Sequence, residues 1–219
     1  MTASRAEPLQ NRVLPTGEIV AHPARGLMMG NRGCIHGFDR TLGVTRWRSQ
    51  LWICCVLRYK NVRRDVMPPG RWTALFFMDE ATALAAGHRP CAYCRRADYV
   101  WFAESWQRAQ GLAERPRAVF MDKVLHPERV VSHTRCQVTR PARAGSLPDG
   151  VMIRHDGSVG LLADGRIRPW SFDGYGAAQR IPSAAKVELL NPPSIVAAFE
   201  AGYRPMVHPS AGPTTLRVH

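Results

Sequence analysis

Residues 71–96 read RWTALFFMDEATALAAGHRPCAYCRR. Three local signals follow one another here. Residues 72–78 are apolar and aromatic over a length that suits a buried strand. Residues 79–87 are an alanine-rich helix: Asp79 suits the N-cap, Glu80 suits the positive end of the helix dipole, and Gly87 suits the C′ position. Pro90 prevents continuation. Cys91 and Cys94 then stand two residues apart, flanked by Arg89, Arg95 and Arg96. A tight turn lets two such thiolates reach one ion, and neighbouring arginines favour the thiolate. A redox pair preceding a helix and two small apolar turn residues are the other roles open to the motif.

Working outward, residues 51–59 (LWICCVLRY) form a second short apolar run. With 72–78 they are expected to make a β-hairpin around a basic loop. Side chains alternate faces along a strand, so at most one of the adjacent Cys54 and Cys55 is expected to face a metal beside Cys91 and Cys94. A structural zinc wants four ligands; Cys136 and Cys34 lead the candidates for the fourth, ahead of the histidines.

After the Cys pair, Tyr99, Phe102, Ala103 and Trp106 fall on one face of a helix over about 97–110. Residues 112–149 are weakly patterned and hold at most one short helix, and 141–150 read as a linker or long loop. Asp-Gly pairs at 156–157 and 164–165 separate short strand-like pieces, the signature of a β-meander. Residues 186–190 are a further strand, and 194–202 a closing helix with Ser194 as N-cap. The sequence AAGHRPCAYC (85–94) is echoed by EAGYRPMVHP (200–209), which shared helix-stop grammar explains. The expected fold class is α+β: an irregular segment over 1–29, a small zinc-stapled α/β module over 30–140 with a short β-hairpin and helices, and a β-meander with a closing helix over 141–219 packed on it.

The chain has 219 residues and a net charge of +13. Arginine dominates: the lysines are Lys60, Lys123 and Lys186. A surplus of guanidinium forks makes a polyanion the default partner. Arg58, Lys60, Arg63, Arg64, Arg71, Arg89, Arg95 and Arg96 are the expected nucleic-acid-binding residues, grouped around the hairpin loop and the Cys turn, where they would meet phosphates rather than read bases. Trp101 lies off its helix's main apolar face, available to stack on a base or on a packing partner. No apolar run is long enough to cross a membrane, and the N-terminus has no apolar signal region, so a cytoplasmic protein with reduced cysteines is expected.

Phe76, Phe77, Ala81, Ala85, Ala86, Gly87, Arg89, Pro90, Cys91 and Cys94 together carry a family likeness. Residues 51–96 resemble the zinc-binding segment of the Ada family of DNA alkylation-repair proteins. The resemblance implies Zn2+ held by Cys91, Cys94 and an upstream cysteine, Cys54 or Cys55, and DNA as partner. It also implies a zinc thiolate that takes a methyl group from a methylated phosphate. The family's two upstream cysteines are spaced three residues apart; here they are adjacent. The leading expectation is a zinc-binding, DNA-binding protein connected with DNA repair or modification. An enzyme is the first alternative, either a thiolate alkyl acceptor or a hydrolase built on Asp122, His126, Glu128 and His133, whose residue types suit metal binding or acid–base work. A zinc-stapled scaffold for a protein partner is the second.

Overall fold

The structure, a computed structural model, describes residues 7–60, 66–68 and 70–218. In chain order the first half contains β1 (Gln10–Val13), β2 (Ile19–Ala21), β3 (Met28–Asn31), β4 (Ile53–Val56), β5 (Leu75–Phe77), α1 (Glu80–Ala85), β6 (Arg89–Pro90), α2 (Arg96–Gln110) and α3 (Ala118–Arg129). The second half contains β7 (Arg140–Arg143), β8 (Met152–His155), β9 (Ser158–Ala163), β10 (Arg166–Ser171), β11 (Gly174–Tyr175), β12 (Gln179–Arg180), β13 (Lys186–Leu189), α4 (Pro193–Glu200), β14 (Met206–Val207) and β15 (Arg217–Val218). The fold is α+β. Among the described residues no helix is long and apolar enough to cross a membrane.

The first sheet is mixed and runs β2-β1-β5-β3-β4-β6. The expected hairpin between residues 51–59 and 72–78 does not form. β3 lies between β4 and β5 and pairs antiparallel with both. Gly30 makes this central position possible: a Cβ there would sit 2.1 Å from the Ile53 carbonyl oxygen. The segment 1–29, expected to be irregular, therefore supplies β1, β2 and the start of β3. The second sheet is the meander β11-β10-β9-β8 extended by β13 and β7, with β12 on β10. Its two tight turns have positive φ at Asp156 and Gly157 and at Asp164 and Gly165, the backbone that matches the twist of hairpin strands. Residues 141–143, read as the start of a linker or long loop, pair together with Arg140 along the whole of β13.

α1 lies between the two sheets and is buried on every side. Its small side chains serve different neighbours: Ala83 and Ala86 meet the first sheet, Ala81 and Ala85 meet the meander, and Leu84 joins the core made by α2, α3 and α4. Alanine permits this close approach from several directions with little side-chain entropy to lose. Asp79 accepts from the Thr82 backbone N–H at 2.9 Å, as an N-cap should, and also from Tyr175 Oη at 2.6 Å and the His208 N–H at 3.0 Å. The cap thus also fastens α1 to the meander and the C-terminal segment.

α1 and α4 end alike. Gly87 and Gly202 both have positive φ. The N–H of the next residue returns to the last turn in each, His88 to the Ala83 carbonyl and Tyr203 to the Ala198 carbonyl, both at 2.9 Å. This common C-terminal wiring accounts for the sequence echo. Ser194 is not the N-cap of α4, a place held by Pro192; its side chain bonds Glu128 instead. Trp101 packs on Tyr203, ring centroids 4.8 Å apart.

Gly87 has a second constraint. A Cβ there would lie 2.6 Å from Arg129 Cδ. Gly87→Ala is expected to cost about 1–3 kcal/mol, the usual range for a strained left-handed residue. A urea-unfolding midpoint equal to wild type would contradict this.

Candidate metal centre

β4 separates the adjacent cysteines by simple alternation. Cys54 points into the core with Met28, Leu75 and Phe77. Cys55 points to the opposite face of the sheet, beside Met29 and Ala74. β6 then runs parallel to β4, with Cys54 opposite Pro90. The Cys91 N–H donates to the Cys54 carbonyl at 2.9 Å. This places the turn 91–94 against the end of β4, on the side where Cys55 emerges. The turn is closed by Arg95 N–H to the Cys91 carbonyl at 3.1 Å, and the Tyr93 N–H donates to Cys91 Sγ at 3.4 Å.

The Sγ atoms of Cys55, Cys91 and Cys94 all lie within 4.8 Å of one another. Tetrahedral coordination with Zn–S bonds of about 2.3 Å separates sulfurs by about 3.8 Å, so small rotamer adjustments bring this trio onto one ion. The three sulfurs interact as a unit. Hydrogen bonds from Cys55 and then Cys94 hold Cys91 well below the usual thiol range. Donation to Cys91 and Cys94 pushes Cys55 up. For Cys94, the bond with Cys55 pulls down, but Cys91 and burial push up by more. This pattern favours thiolate character at Cys91, with Cys55 and Cys94 as its thiol donors. A divalent cation bound there would displace the thiol protons.

The trio opens into a cleft of about 450 Å³ lined also by Asn31, Ile53, Trp72 and Tyr93. Tyr93 is 64% exposed and meets Tyr59 edge-on at 5.0 Å. Spacing in the sequence pointed to the cysteines. Nothing in it pointed to Asn31 or Trp72, which arrive from distant segments; Tyr93 had only its place inside C-x-x-C as a signal.

The remaining candidates fall elsewhere. Cys34 and Cys136 are exposed and stand outside the trio, Cys34 Sγ against the His36 carbonyl and Cys136 Sγ against the Thr134 carbonyl. Of the arginines expected to meet nucleic acid, Arg89 and Arg95 are corrected. Both are buried. Arg89 forms a two-bond pair with Asp122, at 2.6 and 3.1 Å. Arg95 pairs with Glu80 at 2.8 Å and Asp98 at 2.9 Å, and lends Nη1 to Cys54 Sγ at 3.5 Å. Guanidiniums already matched to carboxylates and withdrawn from water do not bind a phosphate backbone. Arg58, Lys60, Arg71 and Arg96 are exposed. Arg63 and Arg64 lie outside the described residues.

The group Asp122, His126, Glu128 and His133 is shared among separate structural tasks. Asp122 is the partner of Arg89. Glu128 accepts from the Ser194 N–H at 3.0 Å and hydroxyl at 2.7 Å, at the start of α4. His126 sits edge-on to Trp47, centroids 5.5 Å apart, and burial and then Arg129 lower its pKa. His133 lies in an exposed turn. The hydrolase expectation loses its constellation with these assignments.

No family model, no curated protein and no solved structure matches the chain.

Proposed function

We propose that Cys55, Cys91 and Cys94 bind one zinc ion, and that the protein uses this centre on DNA. The convergence of three sulfurs from β4 and the 91–94 turn carries the proposal. Sulfur donors at this spacing suit zinc over harder cations. Three protein ligands would leave one coordination position, the arrangement of a reactive rather than a closed structural site, and the trio lines the cleft. The exposed Arg58, Lys60, Arg71 and Arg96 supply phosphate contacts in the segments that build the site. The likeness of residues 51–96 to the Ada zinc segment adds a reaction. Bound zinc would hold the sulfurs of Cys55, Cys91 and Cys94 as thiolates, one of which would be the nucleophile toward the methyl carbon of a methyl phosphotriester, the C–S bond forming as the C–O bond breaks and the phosphodiester oxygen leaving with the electron pair. Cys55 stands where that family has a spaced upstream pair, so one ligand of that pair has no counterpart in the trio.

The test is metal content by elemental mass spectrometry beside DNA titrations. Wild type is expected to carry one zinc per chain, kept in Cys54→Ser and lost in Cys55→Ser, Cys91→Ser and Cys94→Ser. Neutralising four phosphates predicts a slope of log affinity against log salt near −3.6, about −0.9 per contact. Methylated duplex is expected to leave one methyl group on a cysteine of the trio, read by peptide mass. Metal-free wild type defeats the zinc assignment. A salt-independent or absent DNA interaction defeats the DNA assignment and favours a zinc-stapled scaffold.

A further inference from the structure

Trp52, one residue before β4, carries two guanidiniums over its ring. Arg32 stands 4.0 Å and Arg129 4.1 Å from its centroid. The two arginines are only 2% and 1% exposed. Among the described residues neither has a carboxylate partner within ion-pair distance. Arg32 donates to Gly17 O at 3.1 Å and His88 Nε2 at 3.3 Å. Arg129 donates to Gly87 O at 2.8 Å and Gln50 O at 2.7 Å. Asp122, the nearest carboxylate to influence Arg129, is taken by Arg89.

Donors are left over. Arg32 Nη2 and Arg129 Nε are buried without partners, and so are Thr16 Oγ1 and Gln137 Oε1. All four residues line one cavity of about 360 Å³, whose rim includes Arg46 and Arg135 and whose acidic lining residue is the exposed Glu18. Gln137 is oriented without ambiguity, because its Nε2 donates to the carbonyls of Pro15, Ala85 and Leu190 at 3.1, 2.7 and 2.9 Å. Its Oε1 is therefore an acceptor awaiting a donor.

Burying a cation without an anion is costly. Cation–π contact with Trp52 and the carbonyl bonds offset only part of that cost. Burial, and then repulsion from Arg129 and Arg46, pushes Arg32 down to about 9. Burial pushes Arg129 to about 9 as well. An anion in the cavity that both line would reverse both trends.

We propose that this cavity is a binding site for a phosphate oxyanion, free or as the terminal group of a small phosphomonoester. Guanidinium forks match phosphate oxygens, and the Thr16 hydroxyl donates to a third. A singly protonated phosphate also brings the O–H that Gln137 Oε1 lacks; sulfate, of the same shape, does not. The site is separate from the cysteine trio and does not depend on its metal.

The experiment is calorimetric titration of metal-free full-length protein with inorganic phosphate, glycerol phosphate and sulfate. Metal-free protein ensures that no phosphate binds through zinc. Saturable binding of phosphate, with sulfate weaker by about threefold to tenfold for one neutral hydrogen bond, is the expected result. Tighter binding of glycerol phosphate identifies an ester as the occupant; tighter inorganic phosphate identifies the free ion. Arg32→Met keeps an apolar contact for Trp52 and is expected to abolish binding. Arg46→Ala, at the half-buried rim, is expected to weaken it while leaving the fold intact, so one variant remains informative if the other does not fold. Absence of saturable phosphate binding in wild type, equal affinity for sulfate, or unchanged affinity in both variants would overturn the assignment.

Discussion

Removing zinc with a chelator is expected to lower the melting temperature of wild-type protein by roughly 8–16 °C relative to protein in a thousandfold excess of free zinc over its Kd. A ligand bound only by the folded state adds RT ln(1 + [L]/Kd), about 4.1 kcal/mol at that excess. In a chain of this size one kcal/mol moves the midpoint by about 2–4 °C. Unfolded chain that retains zinc through its cysteines reduces the shift. The fold itself should survive chelation. Cys55 and Cys91 belong to a small cluster with Met29, Met67 and Ala74, whereas the main core is built from α2, α3, α4 and the meander with no cysteine among its buried members. Far-UV circular dichroism should change little, and the loss of protection should concentrate in residues 53–56 and 89–95 by hydrogen exchange. Cys91→Ser should melt at one temperature with and without zinc. A wild-type midpoint indifferent to zinc would defeat the metal centre.

Helices and tight turns were legible in the sequence because their signals are local. Asp79 and Gly87 bracket α1, Gly111 adopts the left-handed conformation that ends α2, and the Asp-Gly pairs make the meander turns. What failed was non-local. β3 is only four residues long and contains a glycine, so it lacks the alternation that marks a strand, yet it holds the centre of a sheet. β7 carries Pro141 and two arginines, features an edge strand tolerates and a linker shares. The C-x-x-C turn was legible as half a site. Choosing Cys55 over Cys54 required the sheet's faces, which depend on β3 and β6 pairing with β4. Arg89 and Arg95 were counted as surface charge because the fully buried carboxylates they meet, Asp122 and Glu80, lie 33 and 15 residues away; charge patterning reports sign and number, not partners. Arg32 and Arg129 escaped for the same reason, since only the fold brings both to Trp52.

Glu80→Ala is expected to destabilise the protein by about 3–5 kcal/mol, the usual penalty for stranding one partner of a buried ion pair, which corresponds to roughly 6–20 °C in melting temperature. Glu80 is fully buried at the start of α1. One carboxylate oxygen is ion-paired with Arg95 Nη2 at 2.8 Å and accepts from the Tyr203 hydroxyl. The other accepts from the Met206 N–H at 2.9 Å and Arg217 at 3.3 Å. One side chain therefore ties α1 to the residue that follows the Cys turn and to the C-terminal segment after α4. The Arg95 side chain is 1% exposed, so losing Glu80 leaves it only Asp98 for compensation. Arg95→Met in the Glu80→Ala background removes the stranded charge and should recover a large part of the loss, as replacement of whole buried pairs by apolar groups often does. Because the contacts of Glu80 span both parts of the chain, wild type and variants should each unfold in a single calorimetric transition. A Glu80→Ala cost below about 1 kcal/mol, the worth of an exposed pair, or a double variant no more stable than the sum of the single losses, would show that the carboxylate does not join the two parts.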